Sequence, residues 1–224
     1  MSDTASWISF LVSSLIFFAY EARALWIGHH HPERVARSAH ARMRASWVSA
    51  LSQREGFEIV AVQALRNSLM SATIAASTAA LALMGSVSLA GMSVASGMRQ
   101  IESLEHMGVR LLVEGLLILV LFASYVSSAM AMRYFNHASF VMSMPAQSPE
   151  RQRLNPMAVE YVERAGLLYS WGMRFFLMIA PLVAGIVNPL AMPPITIVLV
   201  SVLWRFDRPA RLALEAASEG ILPP

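Results

Sequence analysis

"GLLYSWGMRFFLMIAPLVAGIVNPLAMPPITIVLVSVLWRF", residues 166–206, holds either two membrane crossings or one crossing and a re-entrant dip. Proline at 189 and the Pro193–Pro194 pair interrupt any single helix through it, because proline lacks the backbone N–H and crowds the preceding turn. The apolar piece that follows is barely long enough for a hydrocarbon layer of about 30 Å. Arginines elsewhere in the chain decide the matter. Three earlier apolar stretches are unambiguous, Trp7–Ile27, Leu69–Ser93 and Leu111–Met132. Arg34, Arg37, Arg42, Arg44, Arg54 and Arg66 lie between the first two stretches, Arg133, Arg151, Arg153 and Arg164 after the third, and Arg205, Arg208 and Arg211 after the last. Arg99 and Arg110, between the second and third, are accompanied by Glu102 and Glu105. Cytoplasmic loops collect basic residues, so the first, third and last groups belong on one side. That predicts five crossings (7–27, 69–93, 111–132, 166–187 and 189–206), with the N-terminus outside, the C-terminus inside and a tight proline-rich turn at Asn188–Pro194.

The composition agrees with a lipid-embedded fold. Of 224 residues, 56% are hydrophobic and 14% charged, where a soluble domain carries about 25% charged residues. No lysine is present, so all 17 basic side chains are arginine, and the absence of cysteine removes disulfides and thiolate chemistry. A net charge of +3, scattered along the chain, is too small for a nucleic-acid face. Asp3 precedes the first apolar stretch with no basic residue beside it, so that stretch is expected to stay as a membrane helix and not to be cleaved as a signal peptide. No phosphate loop, dinucleotide glycine motif, HExxH or nucleophile elbow is found, and neither cofactor, metal nor catalytic activity is expected. The fold class is therefore an all-α integral membrane protein in a single domain, expected in a bacterial inner membrane.

Two helices exceed a bilayer. From Phe57 to Ser93 the helical pattern meets only Gly85 and Gly91, giving roughly 55 Å of helix against a core of about 30 Å. Met157–Val187 is overlong in the same way. The excess is expected to project into the cytoplasm, beside an amphipathic helix over residues 33–52 with its apolar stripe at Val35, Ala39, Met43 and Trp47.

Four stretches, "RASWVSAL", "VQALRNSLMSATIAASTAALAL", "AMRYFNHASFVMSMPA" and "GMRFFLMIAPLVAGIVNPL…VLWRFDRP", run in an order that resembles the bacterial and plant membrane proteins catalogued as domain of unknown function 599. The resemblance covers nearly the whole chain and implies a compact multi-span helical protein. It implies no activity. The chain departs from the family's pattern at "RFFLMIAP", where the family carries a further aromatic, and in its triple histidine.

With this topology, four spans bring polar groups to one depth. Glu21, Arg66–Asn67, Arg133 with Asn136 and His137, and Arg174 all fall near the inner boundary. Arg174 sits about 20 Å from the outer edge at 1.5 Å per residue. A charge at that depth costs a few kcal/mol unless it is paired or hydrated, so Glu21 and Arg174 are expected to pair, with the remaining arginines leaving positive charge for an anion, a lipid headgroup or a translocating ion. Snorkelling to headgroups is the plainer reading of Arg66 and Arg133 taken singly. Span two adds small residues at helical spacing: Ser68, Ala72, Ala76 and Ala80, with Ser71, Ala75 and Ala79 beside them. Such stripes let helices approach closely in lipid. Ser68, Ser71, Ala75, Thr78, Ala79 and Gly85 are accordingly candidates for internal packing, a subunit interface or a pore wall.

His29–His31 lacks the spacing and carboxylates of a metal site, the 15 methionines are scattered as core filler, and Glu114 is expected to pair with Arg110 four residues earlier. Three functions follow in order of support: a homo-oligomeric ion channel or transporter-like protein, a non-catalytic scaffold or accessory subunit, and a lipid-binding or lipid-modifying protein. Partners are membrane lipids and further copies of the chain, without nucleic acid.

Overall fold

A computed structural model describes residues 3–30, 36–97 and 104–207. Of the features above, His31, Arg34, Val35, Arg99, Glu102, Arg208 and Arg211 lie outside the described residues, as do the side chains of Arg37, Ala39 and Glu105. No strand occurs among the described residues. The order is α1 (Asp3–His30), α2 (Ala36–Ser52), α3 (Glu58–Gly97), α4 (Leu104–Met142), α5 (Pro149–Leu177), α6 (Ile179–Val187), a 3-10 turn (Pro189–Ala191) and α7 (Met192–Phe206). Five segments are long and apolar enough to cross a bilayer: Thr4–Ile27, Glu58–Met92, Gly108–Met142, Pro149–Val187 and Pro189–Phe206. The chain is a multi-span helical membrane protein.

Two boundaries differ from the sequence expectation. The third span is embedded in a 39-residue helix, so three helical segments, not two, outrun the bilayer. Residues 133–142 carry Arg133, Asn136 and His137, which end the hydropathic stretch, yet nothing breaks the helix before the turn at Ser143. The fourth span is interrupted at Met178 instead of running unbroken to Val187. The cause is Pro181, whose ring crowds the carbonyl four residues back, at Leu177.

The chain divides into two compact units, and α3, α4 and the α5–α6 segment continue from one into the other. The first comprises residues 1–36, 79–122 and 175–224. Its core is Val109, Val113, Leu117, Val120 and Leu121 of α4 with Leu182 of α6 and Met192 of α7. Asn188 accepts a hydrogen bond from the Leu190 N–H at 3.1 Å and so shapes the reversal between α6 and α7. Pro193 and Pro194 fall in the first turn of α7, where no N–H is needed. α1 packs along α7 and the 3-10 turn. Near one end of α1 its Trp7 ring lies by Gly108, and further along the helix the Tyr20 hydroxyl donates to Asp207 at 2.5 Å. The last apolar segment thus runs from the turn to Asp207 alongside α1, and it is long and apolar enough to cross a bilayer. The expected Arg110–Glu114 pair forms at 3.0 Å.

The second unit comprises residues 37–78 and 123–174. Its core interleaves small residues with a few large ones: Ala61, Leu65 and Ala72 of α3, Ala131, Phe135 and Ala138 of α4, Ala158, Val162 and Ala165 of α5, and Val48 of α2. α4 and α5 approach closely at Gly172. There Ser124 Oγ donates to the Gly172 carbonyl at 2.9 Å, and a methyl group on Gly172 would sit 2.7 Å from Ser128 Oγ. Ser128 is fully buried and its hydroxyl has no hydrogen-bond partner among the described residues.

The turn between α4 and α5 is closed by Arg151, only 1% exposed. Its Nη1 donates to the carbonyls of Val141 (2.7 Å) and Met144 (3.2 Å), its Nε to Asn155 Oδ1 (2.7 Å), and its Nη2 to Met142 Sδ (2.8 Å). A cation there satisfies the orphan carbonyls and the negative end of α4 together. Asn155 also receives Ser52 Oγ of α2 at 3.1 Å, and Glu58 at the start of α3 accepts the Ala146 N–H at 3.0 Å. Arg151 therefore ties the end of α4 to the start of α5, and Asn155 and Glu58 bring the ends of α2 and α3 to the same turn.

Two stability outcomes follow. Gly172→Ala overpacks the α4–α5 contact and costs about 1–3 kcal/mol, seen as a lower melting temperature in detergent; adding Ser128→Ala, which removes the colliding hydroxyl and is itself near neutral, recovers part of the loss. Arg151→Leu leaves buried carbonyls unpaired and costs about 3 kcal/mol, so a melting temperature within experimental error of the parent would refute the clamp.

Candidate functional site

The residues expected to share one depth are distributed over both units. Glu21, on α1, belongs to the first and is half-buried; the others belong to the second. Arg66 and Asn67 are exposed on α3, as are Arg133 and Asn136 on α4. The structure brings Arg133 and His137 together, Nε to Nε2, at 3.5 Å, and sets the His137 ring 5.7 Å from that of Tyr161 on α5. Tyr134 stacks on the same Tyr161 at 5.8 Å. Arg174 is buried, 6% exposed, with its guanidinium carbon 5.9 Å from the centre of the Trp171 ring. An indole face stabilises a desolvated cation electrostatically, which is part of how a span can hold this arginine.

The small residues of α3 sort by face. Ala72, Ala76 and Ala79 are buried within the chain's own packing, with Ser68 and Ala75 half-buried. Ser71, Thr78 and Gly85, spaced by seven, lie on the uncovered side. Ser71 Oγ donates to the Asn67 carbonyl at 3.1 Å and Thr78 Oγ1 to that of Ile74 at 2.9 Å. Hydroxyls satisfied inside their own helix cost little facing lipid and leave the surface low enough for another helix.

A second feature of the second unit has more of the character of a site. α2 crosses α3 and α5 with Val48 buried in the core and with Trp47 half-buried. On the neighbouring face of α2, one turn apart, stand His40 and Arg44. Arg44 separates two clefts. One, of about 420 Å³, is mainly apolar and runs from Met43 and Trp47 past Leu65 and Phe135 to Tyr169, with Ser68 and Ser71 along α3. The other, of about 350 Å³, gathers the charged and polar side chains of His40, Glu160, Glu163, Arg164 and Ser170, although most of its open surface is apolar as well. Gly166 lines both, and the Arg44 guanidinium lies directly on it; a methyl group there would collide with the guanidinium. A glycine is what this close approach requires.

Arg44 is electrostatically distinctive. Its Nε is buried and has no hydrogen-bond partner among the described residues. Arg42 Nε shares that state but lines neither cleft. Burial pushes the Arg44 guanidinium below its ordinary value and the Glu163 carboxylate pulls it back up, while an arginine in a protein stays charged throughout. Arg164 pairs with Glu160 one turn away. The amphipathic stripe of α2 holds Met43 and Trp47, but the charged groups sit on the adjacent His40–Arg44 face, and only the folded chain shows which glycine receives the arginine.

His29 and His30 are exposed, and the His30 ring packs at 4.7 Å from Trp26. Among the described residues no three histidine, aspartate or glutamate side chains are grouped so as to hold a metal.

Neither a curated protein nor a solved structure matches the chain. The family model described as "Protein of unknown function, DUF599" matches residues 8–211, and the chain belongs to that family.

Proposed function

We propose that this protein is a non-catalytic, homo-oligomeric channel or transporter-like protein of a bacterial inner membrane, with its N-terminus outside and its C-terminus in the cytoplasm. The observation that supports this reading is the uncovered face of α3. Only 11% of the central stretch of α3 is buried, against 39% for α4, and the uncovered side carries Ser71, Ser77, Thr78, Gly85 and Ser88 among its apolar residues. Lipid contact asks for bulky aliphatic side chains, whereas small and hydroxyl-bearing surfaces favour helix association. A chain with five spans has little room for an internal pathway, so conduction along this face calls for several copies around an axis. Arg66 and Asn67 stand exposed on the same helix, about two turns in from its start at Glu58, and Arg133 is exposed on α4; the arginines' charge favours an anionic permeant.

The absence of cysteine makes the test direct. Thr78→Cys is expected to form an oxidised dimer in membranes, while Leu119→Cys, on an exposed aliphatic position of α4, is not. Purified protein in liposomes is expected to pass small anions, and Arg174→Ala to reduce that flux at least five-fold without changing oligomer size. A stable monomer passing neither anions nor cations would refute the transport reading and leave a scaffold.

A further inference from the structure

The two clefts that meet at Arg44 are built for a single amphiphile. Hydropathy places the lipid boundary of α3 near Leu69 and that of the α5 segment near Gly166. The apolar cleft straddles this boundary, from Ala64 to Ser71 on one wall and from Val162 to Tyr169 on the other. The second cleft takes its charged α5 lining from before it, at Glu160, Glu163 and Arg164, and the rest from Gly166, Leu167 and Ser170. The charged α5 side chains therefore stand on the headgroup side of that boundary, and the apolar cleft reaches past it toward the lipid tails.

The charges select among headgroups. Arg44 and Arg164 are balanced by Glu160 and Glu163, so the second cleft has no net charge when His40 is neutral. A purely anionic head would face two carboxylates and a purely cationic head two guanidiniums. A zwitterion satisfies both signs. Arg44 Nε, buried and unpartnered among the described residues, is a donor awaiting an acceptor, and a phosphodiester oxygen supplies one. Glu160 and Glu163, three residues apart on one face of α5, can flank an ammonium.

We propose that the α2–α3–α5 cleft is a binding site for a phospholipid of the phosphatidylethanolamine type, its phosphate on Arg44, its ammonium between Glu160 and Glu163, and an acyl chain in the cleft beside Trp47. This site adjoins the uncovered face of α3 that carries the transport reading, with Ser71 common to both, but it rests on Arg44 and the α5 carboxylates and is tested by lipid binding and not by flux.

The full chain in detergent, freed of lipid, is titrated with short-chain phosphatidylethanolamine, short-chain phosphatidylglycerol and free phosphoethanolamine, and bound lipid is counted by native mass spectrometry. One phosphatidylethanolamine per chain is expected, bound at least ten-fold more tightly than phosphoethanolamine, which lacks the tails. Arg44→Gln is expected to weaken it about ten-fold, the loss of one charge-assisted hydrogen bond. Glu160→Gln with Glu163→Gln is expected to reverse the preference toward phosphatidylglycerol. Ala64→Trp, at an exposed position on the rim, fills the apolar cleft and is expected to abolish retention even if Arg44→Gln does not fold. Arg153→Gln, exposed on α5 and outside both clefts, serves as the control and is expected to bind as the parent does. Binding unchanged in folded Arg44→Gln or in Ala64→Trp, or phosphoethanolamine held as tightly as the lipid, would overturn the site.

Discussion

A helix of 40 residues is about 60 Å long, and the hydrocarbon of a bilayer is about 30 Å thick. Half of α3 therefore has to live outside lipid, and the rest of the second unit answers to that constraint. Inside the bilayer each backbone group is satisfied by its own helix and small residues suffice for association. Outside it, water competes, and the emergent ends need a hydrophobic core and closed termini of their own. Val48, Leu65, Phe135 and Val162 supply the core. Arg151, Asn155, Ser52 and Glu58 close the termini of α2, α3, α4 and α5 where they meet. α2 has no apolar run long enough to span, and its packing on the emergent helices creates the clefts beside Arg44.

What the sequence makes legible follows from the range of the interaction concerned. Span number depends on hydropathy and on arginine bookkeeping over whole loops, and five crossings are read from those alone. Pairs one turn apart, such as Arg110–Glu114, are legible because helix geometry alone brings them together. The break at Met178 has a local cause, Pro181, and so was present in the sequence beneath a hydropathy that does not register it. The overlength of α4 was hidden for the opposite reason: polar residues at 133, 136 and 137 end an apolar window without ending a helix. Arg151 was one loop arginine among many, because its role depends on carbonyls of Val141 and Met144 that only the folded turn presents. The face of α3 is intermediate. Spacing shows two small-residue stripes, and only packing shows that one is spent inside the chain while Ser71, Thr78 and Gly85 remain uncovered.

Arg151 and Arg44 show how one residue type divides between architecture and recognition. A guanidinium has five N–H donors in a rigid fork. Arg151 directs donors from all three of its nitrogens at fixed acceptors, with two carbonyls, an amide oxygen and a thioether inside 3.2 Å. No ligand can approach it without breaking bonds the fold already uses. Arg44 is held as firmly in space, lying on Gly166 between two walls, but it is held by shape and its Nε donor is left over. Burying an unused donor costs about 1–3 kcal/mol. A fold gains nothing from that cost unless something else offers the acceptor. The same reasoning explains the glycine: a larger residue at 166 would relieve the burial by expelling the guanidinium into the open, and with it the fixed distance between a positive group and the carboxylate of Glu163. Gly166 thus keeps the Arg44 guanidinium between the two clefts and within electrostatic reach of the Glu163 carboxylate.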